Sequence, residues 1–530
     1  MDLNNIKRNQ LDYILTDMLP TELSERFTFF YFYEFLMTKR KELKQMNNFL
    51  ISVKNKYKTG IMFEGGGSGH GGHKGNNWVT MPLKYSIMKE LHTEREISLL
   101  QPIAAVELFA FVSTYQKELI NLLDMNSIFS LRHHHKNNEL CYKNKNKSIT
   151  KYFAVESAQI DKDLIEKTGM FFDIKPYKSI ASFTSSEEWL VLNSKYRYFI
   201  RTDYKACFDS IYTHTFKWLI GKDVNDTKDF KNTNIYTTID RILQNINART
   251  SNGIVVGPEF SRMIAEILLQ AIDRTVYSKL LNSGKTVGEN YNVYRFVDDI
   301  FIFAESEELA NEIVQIYSEI SAKYLLRLNE GKLYKNTVPF VLDEWINETS
   351  IFANRTSACL FRTKEEQEIW LQKEKQNSPE KEVVPHILKS RALYYSKRSI
   401  MNQLNEIICE YPSKDRTIVA YFLGTILNKV SRNKENVKIF SEHVTEQTVA
   451  NFMDLIFYAY SFFPNYNNTQ RFLSIVSYIR DEYDIFTSSE QLQKLVNKYA
   501  FIFDKANLND IINLVLFCAV PSITKRYEMK

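Results

Sequence analysis

Tyr294-Arg295-Phe296-Val297-Asp298-Asp299-Ile300-Phe301-Ile302-Phe303 is the stretch that decides the fold. Apolar strand-formers flank two adjacent aspartates. Strand residues alternate faces, so the pattern predicts a tight hairpin with the aspartates at its tip. Neighbouring carboxylates repel, and a bound divalent cation removes that cost. A plain polar turn is the competing reading, because Asp is common in turns.

Upstream stands a second aspartate segment, Tyr198-Phe199-Ile200-Arg201-Thr202-Asp203-Tyr204-Lys205-Ala206-Cys207-Phe208. An apolar strand delivers Asp203 at its end, and a loop and helix follow. Two strands, one ending in Asp203 and one turning at Asp298-Asp299, can lie side by side. Their carboxylates would then converge on a pair of magnesium ions, with manganese as a substitute, and so serve phosphoryl transfer. Phe208, five residues after Asp203, would wall off the 2′ position of an incoming sugar, or else simply pack in the core. Asn252–Glu266 reads as a loop, a sharp turn and a helix, with Gly257 letting backbone approach a nucleotide or template closely. Leu326-Arg327-Leu328-Asn329-Glu330-Gly331-Lys332 places Lys332 after a short strand, where a lysine can assist a departing pyrophosphate or stand as an ordinary surface residue.

Working outward, 530 residues exceed one compact core and suggest about two to four structural units. The chain is 44% hydrophobic and 25% charged, with 31 Tyr and 36 Phe and a net charge of +5. That mild basic bias admits a nucleic-acid partner without demanding one. Cys141, Cys207, Cys359, Cys409 and Cys518 show no CxxC spacing, which fits free thiols in a reducing compartment. No run approaches the roughly 18 apolar residues that span a membrane, and MDLNNIKRNQ lacks the apolar core of a secretion signal. A cytoplasmic protein without a membrane partner is expected.

Residues 1–60 read as helical, with the aromatic run Phe27–Leu36 as core or interface. The glycine cluster Gly65–His73 lacks the strand and helix of a phosphate loop, and reads as a mobile loop. His133-His134-His135 follows the helical pattern of 95–132 and reads as a solvated loop, because three adjacent histidines cannot face one metal. Lys364–Lys381 reads as a solvated helix or linker. Beyond it, apolar helical periods recur at Thr417–Val430, Thr448–Phe463, Arg471–Tyr483, Leu492–Phe503 and Leu508–Val520, which suggests a stacked helical array.

Taken in chain order, the four chemistry-bearing segments resemble motifs A to D of reverse transcriptases, over about residues 195–335. The likeness is nearest to the abortive-infection and related defence-associated reverse transcriptases of bacteria. Cys207-Phe208-Asp209-Ser210-Ile211-Tyr212-Thr213-His214, Gly257-Pro258-Glu259-Phe260-Ser261-Arg262 and Ala265-Glu266 carry it, and Phe129-Ser130-Leu131-Arg132 and Lys175-Pro176-Tyr177-Lys178 are similar to that group's fingers segment.

The resemblance implies an α+β fold, with reverse-transcriptase fingers and palm followed by an all-α HEAT-like helical repeat domain. The expected units are N-terminal helices and fingers at 1–195, the palm at 196–345, a connection at 346–380 and the repeat domain at 381–530. Asp203, Asp298 and Asp299 match the metal-binding catalytic aspartates. Phe208 matches the sugar gate, and Gly257, Lys332 and Arg132 join it as nucleotide-binding positions. Val256 departs from the pattern: conventional reverse transcriptases place a Gln there that steadies the template–nucleotide pair. The implied activity is antiphage DNA synthesis from dNTPs, either templated by a noncoding RNA or protein-primed without a conventional template. The implied assembly is a homo-oligomer. A catalytically silent scaffold that binds RNA or protein is the alternative from another class.

Overall fold

The computed structural model describes residues 10–23, 27–38, 79–90, 93–124, 128–136, 141–142, 169–221, 234–377, 384–431, 437–483 and 490–515. The glycine cluster Gly65–His73 and Cys518 lie outside them.

Ten strands are formed among the described residues: β1 (Leu83–Glu90), β2 (Thr93–Leu99), β3 (Arg132–His135), β4 (Cys141–Tyr142), β5 (Gly169–Met170), β6 (Asp173–Pro176), β7 (Tyr198–Asp203), β8 (Tyr291–Phe296), β9 (Asp299–Ala304) and β10 (Tyr334–Thr337). The central sheet has the order β10-β7-β9-β8 and is antiparallel throughout. Its strand β9 shows why the local sequence reads as it does. Ile300, Ile302 and Ala304 enter one core with the helices Glu259–Asn282 and Glu307–Lys323. Phe301 and Phe303, on the alternate positions, enter a second core with Phe183, Trp189 and Phe199. A strand covered on both faces must be apolar at every position, and residues 300–304 are. Ser306 then ends the strand and caps the next helix, its Oγ accepting from Leu309 N at 3.2 Å.

Mixed α and β structure thus gives way to helices. Glu344–Leu360 packs on Ser390–Glu410 and Asp415–Ser431, and these pack in turn on Glu446–Phe462 and Tyr466–Glu482. They share a hydrophobic core distinct from that of the sheet. Lys364–Asn377 is a helix with few buried residues. The expected helix at 492–503 is broken into Glu490–Lys498 and Ile502–Lys505. Tyr499 sits at the break, buried, its hydroxyl donating to Asp454 Oδ1 at 2.9 Å.

The helical unit also touches the first half of the chain. Met88 of β1 packs against its core. Arg416 Nη1 donates to the Lys89 carbonyl at 3.4 Å, and Asn509 Nδ2 donates to the Glu22 carbonyl at 2.6 Å.

Two local expectations are corrected. His133-His134-His135 is not a solvated loop: it belongs to β3, which pairs with β6, and strand alternation buries His134 to 1% exposure against Phe172. Leu326–Leu328 is not a strand: Leu325, at φ 63°, turns the chain out of the preceding helix, and only Leu328 bridges to Tyr204. In the aromatic run, Phe29, Phe30, Tyr33 and Leu36 are core, whereas Phe27 and Tyr31 are exposed.

Candidate active site

The register fixes the carboxylates. Asp203, the last residue of β7, stands opposite Asp299, the first of β9. Phe296 pairs with Asp299 across the β8–β9 hairpin, so Val297 and Asp298 form a two-residue loop. Such loops need positive φ, normally supplied by Gly or Asn; here Val297 takes φ 55°. The Tyr204 amide, next to Asp203, donates to the Asp298 carbonyl at 3.3 Å and ties the two carboxylate-bearing segments together.

Asp203 and Asp298 line a cavity of about 680 Å³ that also presents Phe208, Val255, Val256 and Lys332. Asp299 faces a second cavity of about 620 Å³, which shares Asp203 and Lys332 and is also lined by Lys414 and Arg416 of the helical unit. Asp203 lies between the two. Its Oδ2 accepts from Lys332 Nζ at 2.6 Å, while its buried Oδ1 has no hydrogen-bond partner. Asp299 Oδ1 accepts from Arg201 Nε at 3.2 Å and Nη2 at 2.9 Å. Burial, then the charges of Asp299 and Asp203, push the Asp298 carboxyl up to about 6.

An orphaned carboxylate oxygen beside a second destabilised carboxylate fits a hard divalent cation. Among the described residues no group of three or more His, Cys, Asp or Glu gathers as a metal cluster. Magnesium does not require one, since it is usually held by one or two carboxylates together with substrate phosphates.

The other expected residues separate into two sets. Phe208 lies in the short helix Cys207–Ser210, half-buried on the cavity wall and packed against the main core. Ala206, at φ 45°, turns the chain to present it. Lys332 lines both cavities. Gly257 and Arg132 meet other groups of the protein. A Cβ on Gly257 would meet Pro20 Cγ at 2.7 Å, Ile97 Cγ2 at 3.0 Å and the Ser98 carbonyl at 3.1 Å, and its φ is 133°. The close approach that Gly257 permits is therefore to the protein's own β2, because the Ser98 amide binds the Val256 carbonyl at 2.8 Å. The Arg132 guanidinium is buried, bonded to Glu259 and stacked over the Phe296 ring at 5.3 Å. It is committed to an ion pair and does not line either cavity.

Sequence reasoning missed the β1–β2 hairpin. It supplies Lys84, Lys89 and Arg95 to the first cavity, with Glu94 and Glu96. Lys84 pairs with Glu96 at 2.6 Å. The available signal was the polar–apolar alternation of Lys84-Tyr85-Ser86-Ile87, a strand period.

A carboxylate-tipped hairpin beside a strand ending in aspartate, set over a cavity lined by both cationic and carboxylate side chains, is the arrangement expected of a polymerase palm. The family model for reverse transcriptase (RNA-dependent DNA polymerase) matches residues 138–350, so the chain carries a reverse-transcriptase domain. No curated protein matches it. Solved structures that align with the chain include truncated apo telomerase from Candida tropicalis, at 14% identity over 31% of this chain and 36% of that chain, TM-score 0.23. Telomerase from Candida albicans in complex with a TWJ fragment of telomeric RNA aligns at 11% identity over 80% of this chain and 65% of that chain, TM-score 0.28. Apo telomerase from Candida tropicalis aligns at 12% identity over 87% and 73%, TM-score 0.30. The chain thus spans about a third of the first of these and about two thirds of the second. No helix among the described residues is long and apolar enough to cross a membrane.

Proposed function

We propose that this protein is a DNA polymerase of antiphage defence that joins deoxynucleotides by two-metal nucleotidyl transfer, acting in the cytoplasm. The observation that carries the chemistry is the pairing of Asp203 with Asp298 on one cavity wall, with the Asp203 Oδ1 unsatisfied. Two magnesium ions, when bound, would supply charge neutralisation for the phosphates and acidify the attacking hydroxyl. Asp203 and Asp298 would hold them, with Asp299 beside the second cavity. Lys332, already at the carboxylates, is placed to neutralise or protonate the departing pyrophosphate. Phe208 would exclude a 2′-hydroxyl by its bulk.

The defence role rests on the resemblance of residues 207–214 and 257–266 to the abortive-infection group. Val256 supports synthesis without a conventional template, since the side chain on the cavity wall offers no hydrogen bond. A tyrosine of the protein would then serve as primer. Templating by a dedicated noncoding RNA held through other contacts is the second mode.

Purified protein incubated with magnesium and labelled dNTPs tests the activity, and sequencing of copurifying DNA tests the mode. A defined repeat means an RNA template, and irregular sequence means none. No incorporation under any primer condition would leave the scaffold reading in its place.

A further inference from the structure

A buried stripe of acid runs through the core beneath the aspartate turn. Glu259, Glu266 and Asp273 recur at seven-residue spacing on the helix Glu259–Asn282, which puts them near one face. All three are buried, at 7%, 0% and 1% exposure. Isolated buried carboxylates are costly and need partners. Glu259 takes Arg132 and Arg262. Glu266 and Asp273 take Arg295, which is itself fully buried.

Every nitrogen of the Arg295 guanidinium is engaged. Its Nε donates to Asp273 Oδ2 at 2.9 Å, and its Nη2 lies 3.0 Å from Glu266 Oε2 and 2.8 Å from Asp273 Oδ2. Its Nη1 donates to Glu266 Oε1 at 3.0 Å and, with its second proton, to the Val297 carbonyl at 2.8 Å. A guanidinium has five N–H groups in a fixed fork, and four of them are hydrogen-bonded here, with the Asp273 carboxylate also in ion-pair contact with Nη2. The alternation of β8, with Tyr291, Val293 and Arg295 buried, aims the side chain at the helix. Its backbone is held too: the amide donates to Phe129 O at 2.6 Å, and the carbonyl accepts from Leu131 N at 2.8 Å. The acids are braced in turn, Glu266 by Ser130 Oγ at 2.9 Å and Asp273 by the Tyr317 hydroxyl at 3.0 Å.

The beneficiary of this network is Val297. A β-branched residue at positive φ is an outlier that only surrounding structure maintains. Among the described residues the single side-chain bond to its carbonyl comes from Arg295. The next carbonyl, that of Asp298, is held by Tyr204 N. The two bonds fix the peptide planes on either side of the Asp298 side chain.

We propose that Arg295, seated on Glu266 and Asp273, is a positioning residue that holds the Val297-Asp298 turn so that Asp298 faces Asp203 at metal-binding separation. This rests on the reading of Asp203 and Asp298 as metal ligands. The segment Phe129–Arg132 is part of the same brace, which accounts for Arg132 being committed to Glu259.

Glu266→Gln and Tyr317→Phe loosen the seat without emptying it, and Arg295→Lys replaces the fork by a point charge that cannot reach three acceptors. The measurement is Mn2+ binding to the full-length protein by electron paramagnetic resonance, alongside the metal dependence of dNTP incorporation. Asp298→Asn serves as the reference for a lost ligand. Expected is a tenfold or greater rise in half-saturating metal for Arg295→Lys. A smaller rise is expected for Glu266→Gln and Tyr317→Phe, in soluble protein with little change in KM for dNTP. A purely structural role would lower the active fraction and leave metal half-saturation unmoved, and that result overturns the inference. If Arg295→Lys does not fold, the two milder variants decide by the same criterion. Wild-type protein that binds Mn2+ but incorporates nothing sinks the polymerase reading alone, because the binding shifts still decide the positioning role. Wild-type protein that binds no Mn2+ overturns both.

Discussion

Lys332 Nζ stands 2.6 Å from Asp203 Oδ2, although the two are 129 residues apart. The bond to Asp203 raises the lysine above its ordinary range, so it keeps its proton through neutral and mildly alkaline pH. Its side chain is 58% exposed, so the pair contributes little to stability. Lys332→Met is therefore expected to leave the melting temperature within a few degrees of wild type. If the lysine assists the leaving pyrophosphate, the rate of incorporation should fall by about 10²-fold or more. Pre-steady-state single-nucleotide addition measures this, and an unchanged rate would reduce Lys332 to a surface cation.

Asp298→Asn with Asp299→Asn should abolish incorporation in soluble, folded protein. Asn is nearly isosteric but cannot neutralise a cation. The stability change has a definite sign. The Asp298 carboxyl is raised to about 6, mainly by burial, so its folded form resists ionisation and stability falls as pH rises from about 3.8 to about 6. Above that range the ionised group weighs on the metal-free fold. In EDTA at pH 8 the melting temperature of Asp298→Asn should equal or exceed that of wild type. A large drop would show that the aspartate is structural.

Phe208 is predicted to set sugar choice. Phe208→Ala or Phe208→Val should narrow the ratio of dNTP to rNTP incorporation by at least tenfold, chiefly by improving rNTP use. Wild-type enzyme that takes both sugars equally would remove the gate.

His134 should make stability depend on mild acid. Burial, aided by the neighbouring Arg132 charge, lowers its imidazole to about 4. Its ring packs edge-on against Phe172. The unfolded chain takes up the proton near 6.5, so stability is full above that pH and declines as pH falls toward 4. The limit is about 3 kcal/mol. Urea midpoints at pH 7.5 and pH 4.5 should differ less in His134→Leu than in wild type. An unaltered difference would place the acid sensitivity elsewhere.

Val256 should leave the enzyme a poor copyist. Losing a hydrogen-bonding group at a buried contact costs about 1–3 kcal/mol, and about 1.4 kcal/mol is tenfold in rate. Generic primer–template should be extended slowly and with errors, while label appears on the protein itself, stable to denaturation and released by protease. Fast, faithful extension of an arbitrary primer–template would make this a conventional reverse transcriptase.

What the sequence determined by itself was local and periodic. The alternation through Tyr294–Phe303 and the apolar run ending at Asp203 are short-range patterns, and strands with those ends form where they were read. The helical periods after residue 380 are equally local. Only the tertiary structure decided which partner each polar group meets. It buried Arg132 on Glu259, 127 residues away, and spent Gly257 on the approach of β2. It also brought the lysines of the β1–β2 hairpin to the cavity and turned Asp298 and Asp299 toward different spaces. The reason is physical: a charge is an equally good ligand for metal, nucleotide or buried counter-charge, and the sequence around it does not say which of these packing brings within 3 Å. Glu259, Glu266 and Asp273 show this most plainly. Their seven-residue spacing marks one face of a helix, and that face turned out to be the seat of the aspartate turn, not solvent.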